Sequence, residues 1–111
     1  MDTLNKFRQI IQEVLKEYTK IPYAYGEIEI KPIFNRESDN YLLLTLGWNG
    51  DRRIHGCLVH IDIIGDKVWI QRDGTEDGIA YALVKAGIPK DCIVLGFHEP
   101  DVRQFTGYAV A

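Results

Sequence analysis

The pattern of hydrophobic and polar residues is clearest in residues 41–72, where it is typical of three β-strands joined by two tight turns. The dipeptides Asn49-Gly50 and Gly65-Asp66 each lie between runs rich in Leu, Ile, Val and Trp. Such dipeptides supply the positive φ angles that two-residue hairpin loops require. We therefore predict a three-strand antiparallel meander at the centre of the chain.

The second hairpin also predicts which residues face each other. With Gly65 and Asp66 in the loop, the expected pairs are Ile64 with Lys67, Ile63 with Val68, Asp62 with Trp69, Ile61 with Ile70, and His60 with Gln71. Because side chains alternate between the two faces of a strand, this register produces an apolar face and a mixed face. The apolar face carries Val59, Ile61, Ile63, Val68 and Ile70. The mixed face carries His60, Asp62, Lys67, Trp69 and Gln71.

An amphipathic helix is predicted over residues 2–19, with Asp2 or Thr3 as its cap. Its apolar stripe repeats every three or four positions and comprises Leu4, Phe7, Ile11, Val14, Leu15 and Tyr18. The opposite side of the helix carries Arg8, Gln12, Glu13 and Lys16. We expect the stripe to cover the sheet, because the meander alone would leave an apolar face in water.

A second helix is predicted after the turn at Asp73-Gly74. Thr75 is its expected cap, and Glu76 and Asp77 would lie at the positive end of the helix dipole. Its buried stripe comprises Ile79, Ala80, Leu83 and Val84. The expected end of the helix combines Gly87, Ile88 closing back on Leu83, and Pro89, which prevents continuation.

Shorter segments complete one α+β domain that spans residues 1–111. Residues 27–31 alternate as a half-exposed strand, which Pro32 places at an edge of the sheet or near the strand's own end. Residues 35–40 form a polar loop and the best candidate for a mobile tip. Residues 92–97 predict a buried C-terminal strand, and the final Tyr-Ala-Val-Ala is expected to pack on this domain or on a second copy. The helices are expected on one face of a mostly antiparallel sheet.

Composition favours a globular protein of the cytoplasm. The 111 residues are 46% hydrophobic and 26% charged, which argues against disorder. No run approaches the roughly 18 apolar residues of a membrane span, and the first ten residues lack the pattern of a signal peptide. Cys57 and Cys92 lie in apolar runs, so we predict free thiols that serve as small buried hydrophobic residues.

The charge balance argues against unaided, non-specific binding to nucleic acid. The net charge is -3, whereas such binding depends on clustered Lys and Arg. One basic spot is conceivable near the Asn49-Gly50 turn, and it would comprise Arg52, Arg53, Lys67, Arg72 and Arg103. It could contact phosphate or an acidic partner, although arginines beside a turn are more commonly just solvated.

Two sets of residues could carry chemistry. His60 and Asp62 share a strand face with Gln71 opposite, and a carboxylate can orient a histidine for general base catalysis or metal binding. We favour a structural polar cluster. A metal site from His55, Cys57, Cys92 and His98 would lack the paired spacing of known zinc sites. We predict no catalytic residues, no metal and no cofactor.

Aromatic residues exceed what two small helices need to cover a sheet. They include Tyr23, Tyr25, Tyr41, Trp48, Trp69, Phe105 and Tyr108. Exposed aromatic residues mark protein interfaces. The candidate partner contacts are Arg52, Arg53, Trp69, Arg72, Arg103, Phe105 and Tyr108.

Four segments resemble the XisI family, which is named for a controlling factor of fdxN element excision in filamentous cyanobacteria. They read GWNGDRRIHGCLVHIDI (47–63), KVWIQRDGTE (67–76), AGIPKDCIVLGFHEP (86–100) and RQFTGYAVA (103–111). The N-terminal helix also fits the family, so the resemblance covers essentially the whole chain.

The resemblance implies an accessory protein without catalytic residues that acts with an XisH-like companion. Companions of that type look like restriction nucleases, which an XisI-like protein would restrain or direct. We also expect a homo-oligomer, from the apolar tail and a free strand edge. Two rival hypotheses are direct DNA binding through Arg52, Arg53, Arg72 and Arg103, and hydrolase or metal chemistry at His60 and Asp62.

Overall fold

Five β-strands form one sheet whose spatial order follows the order of the chain. The computed structural model describes residues 3–20 and 27–111. The strands are β1 (Glu27–Asn35), β2 (Asn40–Asn49), β3 (Arg52–Ile64), β4 (Lys67–Asp73) and β5 (Ile93–Leu95). The helices are α1 (Thr3–Tyr18), α2 (Ile79–Ala86) and α3 (Pro100–Arg103), with a 3-10 turn at Lys90–Cys92. The predicted cap Asp2 and the aromatic residues Tyr23 and Tyr25 lie outside the described residues.

The sheet confirms the predicted α+β class and its central meander. Strands β1 to β4 pair antiparallel with their neighbours in the chain, so the meander has four strands. Strand β5 lies parallel to β4. A parallel neighbour cannot be reached through a tight turn, and helix α2 provides the crossover. None of the helices in the described part of the chain is long and apolar enough to cross a membrane.

The register of the second hairpin is confirmed for four of its five predicted pairs. Ile64, Ile63, Asp62 and Ile61 face the expected residues of β4. The pairing of His60 with Gln71 is wrong, because the register shifts after Ile61 and Arg72 lies opposite His60. Gln71 is the extra residue of a β-bulge, which turn chemistry alone does not reveal.

One hydrophobic core lies between the sheet and helices α1 and α2. The predicted apolar face of the β3–β4 hairpin is buried there in full, at Val59, Ile61, Ile63, Val68 and Ile70. Helix α1 contributes four buried residues, namely Phe7, Ile10, Ile11 and Leu15. Helix α2 contributes Ile79, Ala80 and Leu83. The helices thus cover one face of the sheet, and we call the opposite face the open face.

The polar loop after β1 is tied to helix α1. The Nε and Nη2 atoms of Arg8 donate to the two carboxylate oxygens of Asp39 at 2.7 and 3.0 Å. The hydroxyl of the buried Tyr41 donates to the same carboxylate at 2.9 Å. Arg8 was predicted on the side of the helix opposite the apolar stripe, whereas its guanidinium is largely buried against this loop. The mobility of the loop stays a prediction.

Strand β1 forms an outer edge of the sheet and runs four residues beyond its predicted end. It continues through Pro32 to Asn35. Pro32 is tolerated there because proline removes a donor only from the unpaired side of an edge strand. The edge position predicted from Pro32 is confirmed.

Helix α2 begins three residues later than predicted, and Thr75 is not its cap. The N-cap is Gly78, and the backbone N–H of Ile79 donates to Oδ2 of Asp73 at 2.8 Å. The other oxygen of Asp73 accepts from the N–H and hydroxyl of Thr75. The carboxylate at the end of β4 therefore holds Thr75 in a turn and satisfies the first free donor of the helix. The predicted helix end is confirmed, because the N–H of Ile88 donates to Leu83 at 3.0 Å.

Asp73→Ala is expected to lower the free energy of unfolding by about 1–2 kcal/mol, because three donors lose their acceptor at once. Asp77→Ala is the matched control, since its exposed carboxylate lies in the same turn and should change stability by less than about 0.5 kcal/mol. Denaturant unfolding of both variants measures the difference. Equal stability of the two variants would show that Asp73 does not anchor the helix.

The C-terminal segment closes the far edge of the sheet. Strand β5 is shorter than predicted, because Cys92 belongs to the preceding 3-10 turn and Gly96 and Phe97 turn away after Leu95. Past helix α3 the chain returns, and the N–H of Ala109 donates to the carbonyl of Ile93 at 2.8 Å. Tyr108 packs against the core. The end of the chain thus packs on this domain, while Val110 stays exposed.

Candidate functional site

The open face carries a polar cluster built from strands β2, β3 and β4. Nε2 of His60 lies 2.9 Å from Oδ1 of Asp62, and Asn40 donates to the same oxygen at 2.7 Å. Gln71 donates to Oδ2 of Asp62 at 3.4 Å. The structure therefore brings together the three residues that the sequence predicted, although Gln71 reaches Asp62 from a bulge. Asn40 was missed, because its pairing with Asp62 depends on the register of β2 with β3.

In this cluster the carboxylate of Asp62 is the common partner of Asn40, His60 and Gln71. Both oxygens of Asp62 are engaged by neighbours, and its side chain is 17% exposed. A carboxylate held in this way orients the imidazole of His60 and joins three strands across the sheet. These hydrogen bonds connect β2, β3 and β4 on the open face, as the hydrophobic core connects them on the face covered by the helices.

The described residues contain no group of three or more His, Cys, Asp or Glu side chains able to hold a metal ion. The alternative metal set of His55, Cys57, Cys92 and His98 is therefore not assembled. His55 and Cys57 lie in β3, whereas Cys92 and His98 flank β5 beyond β4. The shared strand face of the first two residues does not bring the other two near.

Both cysteines are free thiols, as predicted, but they are half-buried and not the buried residues expected. Burial raises the pKa of Cys57. Burial and the neighbouring Asp91 carboxylate raise the pKa of Cys92. Since the thiolate is the nucleophilic form, both environments disfavour reactivity.

A stacked pair of residues lies beside the polar cluster. The guanidinium of Arg103 sits over the ring of Trp69, 5.2 Å from its centroid. The same guanidinium donates to the carbonyls of His98 at 3.1 Å and Gly96 at 3.4 Å. Gly96 permits this close packing, because a Cβ there would lie 3.1 Å from the Trp69 ring and 2.9 Å from the amide oxygen of Gln71. Two predicted contact residues are thus packed together on the open face.

Large apolar side chains are exposed on the segment 97–105, which includes Arg103. Phe105 is 81% exposed, and Phe97 and Val102 are exposed as well. We call these three residues the C-terminal patch. Tyr108, also a predicted contact, differs from them because it packs on the core and lies under the ammonium group of Lys90.

The predicted basic spot is not assembled. Arg52 and Arg53 lie at the tip of the β2–β3 hairpin, where Arg53 sits over the exposed ring of Trp48 at 5.2 Å. Arg72 lies opposite His60, seven residues along β3 from Arg53, which is about 23 Å in an extended strand. Lys67 is farther still, at the opposite end of β3. Strand β3 is 13 residues long, so the charged residues near its two ends are too far apart to form one basic surface.

Arg72 makes a hydrogen bond that the sequence does not indicate. Its Nε donates to the backbone carbonyl of Cys57 at 2.7 Å and so caps an edge of β3. Neither this bond nor the stacking of Arg53 on Trp48 could be predicted from the sequence. The two loop residues of the first hairpin are Gly50 and Asp51, not the predicted Asn49 and Gly50, and this shift of one residue places Arg53 opposite Trp48.

The comparisons with known proteins agree over the whole chain. The family model of the XisI protein matches residues 1–110. The crystal structure of a XisI-like protein from Anabaena variabilis is 34% identical, with 98% of this chain and 100% of that chain covered and a TM-score of 0.89. The structure of the fdxN element excision controlling factor XisI from the same organism is also 34% identical, covering 99% of this chain and 100% of that one with a TM-score of 0.82.

A search of the curated proteins finds no match. The family model covers nearly every residue, and the two solved structures share both the fold and a third of the sequence. The predicted family resemblance is confirmed, and the chain belongs to the XisI family.

Proposed function

We propose that this protein is a cytoplasmic, non-enzymatic regulatory protein that controls site-specific DNA excision, or a related process, through contact with an XisH-like companion. One similar structure is that of an fdxN element excision controlling factor. Both thiols are free, which is usual in a reducing compartment. The polar cluster around Asp62 is saturated by its own neighbours and supports a structural role.

The observation that carries this proposal is the exposure of Phe105. A phenylalanine side chain that is 81% exposed leaves most of its apolar surface in water, which a binding partner would remove. Phe97 and Val102 extend the same segment. Beside them, Trp69 and Arg103 are of the residue types that dominate binding energy at protein interfaces, and they stack on each other.

Co-expression with the XisH-like protein from the same genome, followed by co-purification and light scattering, tests the proposal. We expect a stable complex. Phe105→Ser should weaken it by about tenfold or more, because an exposed aromatic anchor is lost. Tyr81→Ser is the matched control, since Tyr81 is 60% exposed on α2 and lies on the helix side of the sheet.

Each outcome bears on a different part of the proposal. If the two proteins elute separately, contact with the companion is wrong. If Phe105→Ser and Tyr81→Ser bind alike, the companion binds elsewhere on this chain. If the protein alone binds duplex DNA at low salt, and this binding falls steeply with salt and is lost on replacing Arg52 and Arg53, direct DNA contact replaces the proposal.

A further inference from the structure

Half of strand β3 has a free edge. The strand spans 13 residues, but β4 pairs with it only from Val59 onward. Asn49 and Arg52 flank a two-residue turn, so Arg52, Ile54 and Gly56 hydrogen-bond toward β2. The N–H and C=O groups of Arg53, His55 and Cys57 therefore point away from the sheet. Within residues 3–20 and 27–111, the carbonyl of Cys57 alone among them has a hydrogen-bond partner, the Nε of Arg72.

The side chain of Arg53 does not cover the free edge of the strand. Nη1 of Arg53 donates to the carbonyl of Gly47 at 3.3 Å, and the guanidinium lies over Trp48 of β2. The guanidinium of Arg53 therefore points toward β2, away from the free backbone groups of β3. The outer edge of β1 is different, because Pro32 there lacks an N–H and interrupts any ladder with another strand.

Gly56 has no evident function within its own chain. Its φ is not positive, and a Cβ at this position would meet only the hydroxyl of Thr45, at 3.8 Å. A glycine inside a strand weakens the strand, and commonly marks a place where another backbone approaches closely. Gly47 illustrates a glycine that its own chain does require, since a Cβ there would lie 1.9 Å from the carbonyl oxygen of Glu27.

We propose that two copies of this chain join through residues 52–57 of β3, paired antiparallel across a two-fold axis at His55. In this register Arg53 pairs with Cys57 of the second copy, so that the free backbone groups of Arg53 and His55 and the N–H of Cys57 find partners. The carbonyl of Cys57, which already accepts from Arg72, accepts a second hydrogen bond from Arg53 of the second copy. Ile54 then lies beside Gly56 of the second copy, and the missing side chain leaves room for the isoleucine. The result is one continuous ten-strand sheet.

The antiparallel arrangement follows from the position of β4. A strand added parallel to residues 52–57 would continue into the space beside Val59, which Asp73 occupies. A strand added antiparallel instead continues past the Gly50-Asp51 turn into open space. In the proposed dimer, β3 of the second copy runs in this antiparallel direction. Its β4 then lies beyond the β2–β3 turn of the first copy and does not overlap with it. Residues 52–57 of two copies can therefore pair with each other without a steric conflict.

Sedimentation and light scattering of the purified protein test the dimer. We expect a mass twice the 12.7 kDa of the chain. His55→Pro should produce a monomer, because it removes a donor at the axis while leaving the ladder between β2 and β3 complete. His55→Val keeps the N–H and should remain dimeric. A monomeric wild type, or a dimer that survives in a folded His55→Pro variant, would overturn the proposal.

A cross-link tests the register independently of whether His55→Pro folds. Directly paired residues of this kind have Cα atoms about 5.5 Å apart, which suits a disulfide. Under mild oxidation Arg53→Cys should form a covalent dimer through Cys57 of the second copy. Replacing Cys57 with serine as well should abolish it, and Arg52→Cys, on the other face, should not form it. Absence of the Cys57-dependent dimer would refute this register, whatever the outcome with the XisH-like companion.

Discussion

Gly47→Ala is expected to destabilise the protein by about 3–5 kcal/mol, a large share of the stability of a small domain. A Cβ at this position would lie 1.9 Å from the carbonyl oxygen and 2.8 Å from the carbonyl carbon of Glu27. Both atoms belong to the backbone of β1, which pairs with β2 at this point, so the obstacle cannot rotate away. The φ of +148° adds conformational strain. Chemical denaturation of the variant measures the loss.

Gly50→Ala is the control for this prediction. Gly50 also has a positive φ, +67°, but a Cβ there would touch nothing within 4 Å. It should cost only the conformational penalty, about 1–2 kcal/mol. Similar losses in the two variants would mean that β1 can shift to accept the methyl group. The difference between them therefore isolates the steric contribution of the β1 backbone.

Asp39→Ala is expected to cost about 2–4 kcal/mol, because it leaves a largely buried guanidinium and a buried phenol without their shared acceptor. The carboxylate accepts two hydrogen bonds from Arg8 and one from Tyr41. Asp39→Asn should cost less, since its amide oxygen can still accept and asparagine tolerates the φ of +56°. A double-mutant cycle with Arg8→Ala measures the coupling. A coupling energy near zero would show that the ion pair contributes nothing.

The pH dependence of stability provides a second measurement of the same network. The hydrogen bonds from Arg8, with a further contribution from Tyr41, lower the pKa of Asp39 against the opposing effect of partial burial. The stabilisation is therefore complete above the unfolded pKa of about 3.9, and is lost as the pH falls from there through the lower pKa of the folded state. In Asp39→Asn this acid dependence should be smaller.

At alkaline pH, stability is expected to fall as the pH rises, the opposite of its dependence at acid pH. Burial, and then the hydrogen bond to Asp39, raise the pKa of Tyr41 to about 12. The folded state thus favours the neutral phenol, and this stabilisation is present below the ordinary pKa of 10 and is lost as the pH rises to about 12. Tyr41→Phe should remove this loss. An unchanged alkaline arm in that variant would assign it to other groups.

Local features of the fold could be predicted from the sequence because they depend on neighbours in the chain. The Gly65-Asp66 turn fixed which side chains of β3 and β4 enter the core, and the ending of α2 at Gly87 followed from three consecutive residues. The polar cluster at Asp62 was found for the same reason, since His60 and Asp62 alternate on one strand and Gln71 lies in the adjoining one.

Features that depend on distant or irregular contacts could not be predicted. Arg8 and Asp39 are 31 positions apart, and nothing local to either residue indicates their ion pair. The bulge at Gln71 inserts a residue without a glycine or proline to mark it. The separation of the charges in the basic spot, by contrast, followed from the two predicted turns, which place Arg53 and Lys67 at opposite ends of β3.

The agreement between chain order and sheet order has a consequence for how the protein is made. Each strand joins the sheet at the edge left by the strand before it, so no strand must insert between two that are already paired. A chain leaving the ribosome from its N-terminus can therefore extend the sheet one strand at a time, through mostly short loops. Helix α1 is synthesised first, but its packing is complete only when α2, which contacts it alongside β1 and β2, has been made. The final edge is closed last, when Ala109 emerges to pair with Ile93.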